Sequence, residues 1–300
     1  MEKFSPRFLS VAAVLLMMLC IATVSQAQDK SEEVMEEVIT ESVTTAPVVA
    51  KLPLWEAGLT GGGITQPAYP GADERANLLL ALPYVLYRGQ YLRVDRGTVG
   101  VRAIKTSRTE VDVGFAASLG SRAENIEARR GMADLGTLLE FGPRLRINLG
   151  DVSKGKSDSR IQFPLRAVFD INDNFSYRGL AFEPQWVNDV RLPSDWLSSI
   201  SLGAVLGDQQ LVNTFYRVSP AEATSTRPVF DAKSGLIALR ASFFISRLFN
   251  PEVRFFSYLR LDSVHGAANH DSPLVRRDIG WSVGLGLAWT LARSERSEKD

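Results

Sequence analysis

The chain has 300 residues, with 34 basic side chains balanced by 34 acidic ones. That balance excludes a general nucleic-acid binder, which needs a basic excess to neutralise phosphates. Two histidines and one cysteine are too few ligands for a zinc or iron–sulfur centre, so no metal or cofactor is expected.

In chain order, MEKFSPRF carries Lys3 and Arg7 and is followed by the apolar run LSVAAVLLMMLCIATV, then Ser25-Gln26-Ala27. Basic region, apolar run and small-x-small site predict a signal peptide over 1–27, cleaved after Ala27. The competing reading is a retained anchor, for which a spanning helix needs ~20 residues. Leu19 stands where a lipoprotein signal needs a small residue before Cys20, which argues against lipidation. Cleavage removes Cys20, so the mature chain could form no disulfide. Residues 28–53 are rich in Glu32, Glu33, Glu36, Glu37 and Glu41. They read as an acidic, flexible periplasmic segment, or alternatively as a docking segment for a periplasmic partner.

From Leu54 the pattern changes to segments separated by turn residues, and no later run is apolar enough for a helical span. Many segments alternate with period two. In RIQFPLRAVFDIN, Ile161, Phe163, Leu165, Ala167, Phe169 and Ile171 share one face, against Gln162, Pro164, Arg166, Val168 and Asp170. Strands of soluble sheets cluster near ~5–6 residues, whereas a membrane strand needs ~9–11. One polar and one apolar face at spanning length predict an all-β fold, a closed antiparallel transmembrane β-barrel of the bacterial outer-membrane type. Twelve strands are predicted, with ten as the alternative: 54–64, 76–88, 90–105, 109–120, 136–149, 158–171, 176–190, 197–208, 211–217, 234–248, 251–263 and 278–291. With periplasmic termini, the turns at Arg88-Gly89, Asp173-Asn174, Asp208-Gln210 and Asn250-Pro251 fall at the periplasmic end, together with an oddly long connection, 121–135. Trp55, Tyr84, Tyr87, Tyr91, Trp186, Trp196, Trp281 and Trp289 lie near predicted strand ends, where interfacial girdles collect such rings.

Trp55-Glu56-Ala57-Gly58, then Pro67-Ala68-Tyr69-Pro70-Gly71-Ala72-Asp73-Glu74, then Pro83-Tyr84, Tyr87-Arg88-Gly89 resemble the opening of the MipA/OmpV outer-membrane family. Ser272-Pro273-Leu274-Val275 and a final strand containing Gly284 and Gly286 resemble its end. The likeness spans about Leu54 to Leu291 and thins between 121 and 260. It implies a non-enzymatic scaffold in outer-membrane lipid that links a lytic transglycosylase to a bifunctional penicillin-binding protein. Other members are described as adhesins or as surface proteins in antibiotic response. The chain departs from the pattern at its end: the charged tail 292–300 follows Leu291, where members stop on an aromatic residue.

Three features bear on other functions. His270-Asp271-Ser272 has the His-x-Ser spacing of barrel lipid hydrolases, but Asp271 and Pro273 make it a natural turn sequence, and a solvated loop is the favoured reading. Gly61-Gly62-Gly63 lacks the Gly-Lys-Ser/Thr of a phosphate loop and reads as relief of crowding at a strand end or bulge. Arg93, Arg102, Arg144, Arg146, Arg166, Arg240 and Arg254 recur on polar faces. They either line a narrow channel or form an ionic network with Glu110, Asp112, Glu140 and Asp170, the latter favoured because 10–12 strands leave little lumen.

Overall fold

The computed structural model describes residues 53–88, 92–95, 98–101, 104–106, 108–150 and 157–295. The expected signal peptide, the acidic segment up to residue 52, Gly89, Tyr91 and residues 296–300 lie outside this set.

The fold is one antiparallel sheet of long strands. They are β1 (Trp55–Pro67), β2 (Arg75–Arg88), β3 (Leu92–Asp95), β4 (Thr98–Val101), β5 (Ile104–Lys105), β6 (Thr109–Ser118), β7 (Leu138–Asn148), β8 (Ser157–Asp170), β9 (Ser176–Phe182), β10 (Gln185–Leu192), β11 (Trp196–Gly207), β12 (Gly235–Leu248), β13 (Val253–Ser263) and β14 (Ile279–Arg293). The hydrogen-bonded path runs β4-β3-β2-β1-β14-β13-β12-β11-β10-β8-β7-β6-β5, with β9 between β8 and β11. First strand thus pairs with last, Gly58 opposite Thr290 and Gly62 opposite Gly286. At the free ends of the path, Cα atoms of β4 come within 8 Å of β6. Strands β9 and β10 form one line interrupted at Glu183-Pro184, where proline has no N–H to give the ladder.

Burial alternates most clearly along β8 and β14, and its sense is the reverse of a water-soluble sheet. Along β8, Arg160, Gln162, Pro164, Arg166, Val168 and Asp170 are buried while Leu165 is exposed. Along β14, Gly280, Ser282, Gly284 and Gly286 are buried; Trp281, Leu285, Leu287 and Trp289 are exposed. The outward face is the apolar one, reaching 84% exposure at Leu79.

One end is closed over by loops. Residues 68–74, 119–137, 208–234 and 264–278 pack into a common apolar cluster that includes Tyr69, Ile126, Leu135, Leu211, Val212, Tyr216, Val218, Val264 and Leu274. The opposite end carries short turns and both described chain ends, Trp55 N–H and carbonyl bonding the Ser294 Oγ and N–H at 3.2 and 2.9 Å. Two of the hairpins turn on residue pairs with positive φ, Asn174-Phe175 and Ser194-Asp195.

Two predicted strands are corrected. Residues 90–105 are not one strand: β3 and β4 pair with each other, Leu92 opposite Val101 and Asp95 opposite Thr98. Residues 211–216 are helical, within α1 (Gln209–Tyr216), capped by the Asp208 carboxylate accepting from the Leu211 N–H at 2.9 Å, and Arg217 is the extended residue that ends it. Leu211 with Phe215, and Val212 with Tyr216, stand four apart, so the apolar residues follow a helix period that a short window reads as alternation. The extra hairpin inverts the direction of each following strand until α1 removes the error. Consequently 121–135, the turn at Asp173-Asn174 and Asp208-Gln210 lie at the loop-covered end, not beside the termini. This accounts for the odd length of 121–135: it is a cap segment.

Candidate functional site

The buried face is a ladder of guanidinium and carboxylate groups. On β6 and β7, Arg144 grips Asp112 with two bonds of 2.9 Å, and Arg146 reaches the same carboxylate at 3.0 Å. Lower on β8, Arg160 donates to Asp189 of β10 at 2.6 Å. The centre is a chain of alternating charge. Arg166 donates to Glu140 at 2.9 Å and also to Glu183; Glu183 accepts from Arg240 at 2.8 Å; Arg240 grips Asp262 at 2.7 and 3.2 Å. Arg260 lies 3.5 Å from Asp262. The link from Glu183 to Arg240 crosses over β11, where Gly203 faces Arg240 and offers no side chain to obstruct it. Charge taken from water is tolerated only when paired and hydrogen-bonded, and here each of these groups has an opposite partner.

Glycines and rings fill the neighbouring part of that face. Gly58 pairs with Tyr84, Gly284 with Tyr258 and Gly286 with Phe256; a Cβ on any of these glycines would strike the paired ring. Tyr84 is thus buried, its hydroxyl 2.6 Å from Thr290 Oγ1, and does not join the interfacial girdle the sequence suggested. Gly61-Gly62-Gly63 lies in mid-strand rather than at a strand end, where Gly62 lets β1 approach the β14 backbone closely. Trp281 lies at the cap end of β14; Trp55, Trp196 and Trp289 lie toward the other end.

The cap is tied by its own polar atoms. Tyr69 donates to the Leu274 carbonyl at 2.7 Å, Tyr216 to that of Pro70 at 3.0 Å, and Ser272 to that of Tyr216 at 2.9 Å. Burial pushes both phenols well above the usual tyrosine range, so they stay protonated donors. Buried Arg227 donates to the Ala128 and Arg130 carbonyls at 2.9 and 3.1 Å, joining two cap loops. Gly71 turns with φ +93°, and its carbonyl receives the N–H groups of Arg276 and Arg277. Between cap and ladder lies a cavity of about 160 Å³, lined by Tyr69, Leu135 and Phe215 above and Arg166, Glu183, Arg240 and Asp262 below. At about 30 Å³ per water molecule, it has room for a few waters.

The predicted residues therefore separate into structural roles. Gly58, Gly284, Gly286 and Tyr84 belong to the ring-on-glycine packing. Pro67, Tyr69, Gly71 and Asp73 lie at the first cap loop, with Ser272 and Pro273 in the last. Trp55 stands at the seam, Pro83 is exposed on β2, and Tyr87 and Arg88 end β2. Ser272 and His270 do not assemble as nucleophile and base: the Ser272 hydroxyl is buried against Tyr216, while His270 Nε2 lies 2.9 Å from Asp278. Of the arginines, Arg144, Arg146, Arg166 and Arg240 are in the ladder with Asp112 and Glu140, while Asp170 pairs with Arg178 at 3.0 Å. The side chains of Arg93 and Arg102 lie outside the described set. Sequence reasoning missed Glu183, which the strand break at Pro184 hides, and Asp189; Arg260 and Asp262 lie two apart in the predicted strand 251–263 and so share one of its faces.

The family model described as MltA-interacting protein MipA matches residues 59–291. No curated protein sequence matches the chain. Among solved structures, the chain is similar to the NanC porin (10% identity, 78% of this chain and 100% of that chain, TM-score 0.37). Similar too are the translocator domain of autotransporter NalP from Neisseria meningitidis (11%, 79% and 88%, 0.37) and the COG4313 outer membrane channel from Pseudomonas putida F1 (12%, 85% and 100%, 0.33). These scores are too low to carry any residue's role across.

Proposed function

Because this chain belongs to the MltA-interacting protein MipA family, we propose that it is an outer-membrane β-barrel of the MipA type. In this reading it acts as a scaffold for cell-wall remodelling enzymes. The observation that carries the membrane reading is the inverted sheet. Leu59, Leu79, Leu165, Leu202, Leu239, Leu259, Leu285 and Leu287 face outward and exposed, while the arginine–carboxylate ladder faces inward. Water would penalise that outer surface, since soluble monomers rarely expose a contiguous apolar patch beyond a few hundred Å². Lipid favours it, provided every backbone group is paired. The approach of β4 to β6 supports closure of the sheet into a barrel.

The scaffold reading rests on the family, whose name gives MltA, a lytic transglycosylase, as partner. A bifunctional penicillin-binding protein is the second partner implied by the earlier resemblance. With the termini periplasmic, the docking surface comprises the terminal end of the barrel and the acidic segment 28–53; 121–135, at the opposite end, is not part of it. Crosslinking in intact cells, followed by identification of captured proteins, tests the role. Recovery of a transglycosylase that falls on deletion of 28–50 supports it, and capture of no cell-wall enzyme overturns it. A narrow channel is the second reading, and the ladder and cap argue against it because both fill the interior. Single-channel conductance in planar bilayers would revive it.

A further inference from the structure

The sequence has only two histidines, and ligand supply argued against a metal centre. The fold nonetheless brings both to one place. His265 and His270 lie in the loop between β13 and β14, their rings edge to face at 5.9 Å between centroids. Asp278 closes the same loop, and its Oδ1 is 2.9 Å from His270 Nε2. One ligand atom from each of the three lies within 4.8 Å of the other two. We propose that His265, His270 and Asp278 form a binding site for one divalent cation of the borderline class, Zn²⁺, Ni²⁺ or Cu²⁺, on the outer surface of the cap.

The chemistry of the donor set selects that class. Two imidazoles and one carboxylate suit zinc, nickel or copper, whereas calcium and magnesium take oxygen ligands. Tetrahedral zinc with bonds of ~2.0–2.1 Å needs donors ~3.3 Å apart, so the exposed His265 and Asp278 and the half-buried His270 must close by about 1.5 Å from their widest separation of 4.8 Å. The ion replaces the proton that His270 and Asp278 now share. Asp271 Oδ1 lies 3.6 Å from His270 Nδ1, placed to hold the other ring nitrogen, as carboxylates commonly do for ligating histidines. Solvent supplies the fourth position.

The loop is held for this role by bonds that do not involve the three ligands' side chains. Buried Asn269 accepts from the Lys233 N–H at 2.7 Å and donates to the Lys233 carbonyl at 2.8 Å. The Val264 N–H donates to the Asp278 carbonyl at 2.8 Å, and the His270 N–H to that of Ala267 at 3.2 Å. A cation here joins the exit of β13 to the entry of β14, stapling the cap loop at its neck.

The test is titration of the full chain, stripped with chelator and held in detergent, with Zn²⁺ by calorimetry. Alongside it run His265→Ala, His270→Ala and Asp278→Asn, each checked for folding by heat-dependent gel mobility. The expected result is one Zn²⁺ per chain, lost in both histidine variants and weakened at least about tenfold in Asp278→Asn. Unchanged binding in the variants, or none by the parent chain, overturns the proposal. Should a variant fail to fold, Co²⁺ bound to the parent decides: an intense tetrahedral visible spectrum supports the site, and the pale spectrum of the hydrated ion refutes it.

Discussion

Glu183 holds two buried guanidiniums at once, so Glu183→Gln is the sharpest perturbation of the ladder. The change keeps shape and removes one charge, leaving the amide N–H₂ facing an arginine that also only donates. The pairs it weakens are shielded, with side-chain exposures of 8% for Arg166, 10% for Glu183 and 20% for Arg240. Removing one partner of a buried ion pair costs about 3–5 kcal/mol. Two contacts are weakened here, but Arg166 keeps Glu140 and Arg240 keeps Asp262, which places the expected loss near the lower bound, at about 3 kcal/mol. That is about a hundredfold in the folding constant. Urea unfolding in detergent micelles, followed by tryptophan emission, measures it. The comparison is Arg122→Ala, whose partner Glu124 sits in an exposed pair of 64% and 69%, where a change within about 0.5 kcal/mol is expected. A loss at Glu183 below about 1 kcal/mol would refute the reading of the ladder as the interior's structural filling.

Other outcomes follow from the same geometry. Gly286→Val drives a side chain into the Phe256 ring and should destabilise by about 1–3 kcal/mol, with lower yield of the folded band on unheated gels. Leu285→Arg, on the exposed apolar face, should destabilise the chain in bilayers by about 2–4 kcal/mol, whereas a water-facing Leu285 would tolerate it. Tyr216→Phe removes the bond to Pro70 and should weaken the cap by about 1 kcal/mol, read as faster proteolysis of 208–234 with the strands intact. His270 should titrate above the ordinary histidine range because its hydrogen bond to Asp278 favours the imidazolium. This contribution to stability is therefore present at pH below the unfolded pKa and lost as pH rises through the folded one. Proton NMR of the ring, with the midpoint falling back in Asp278→Asn, checks it.

Period-two alternation was sufficient to locate most strands. Residues 158–171 and 278–291 match β8 and β14 closely, because a spanning strand must show lipid one face and its neighbours the other over many residues. Where the pattern is short, tertiary context decides. Residues 211–217 look like a strand, but Asp208 caps a helix that buries Leu211, Val212 and Tyr216 in the cap. Residues 90–105 hold β3, β4 and β5, with β3 and β4 paired antiparallel, and alternation cannot see a reversal of direction. The ladder was legible only in part. Arg144, Arg166 and Arg240 stand on polar faces, whereas Glu183 reaches Arg240 across an intervening strand, and no local spacing encodes that. The two histidines stand five apart in one loop, and Asp278 joins them because the ends of that loop are neighbours, which composition alone could not show.

The bond between Trp55 and Ser294 joins residues 239 apart, and this has a kinetic meaning. The sheet cannot be completed until nearly the whole chain has arrived, so its slowest contact involves the last strand to emerge. Until then β1 has a bare edge, the kind that templates pairing with other chains. A chain shortened by only the fifteen residues of β14 would therefore be expected not to form a slightly smaller protein, but to remain an open ribbon exposed to aggregation and to proteolysis in transit.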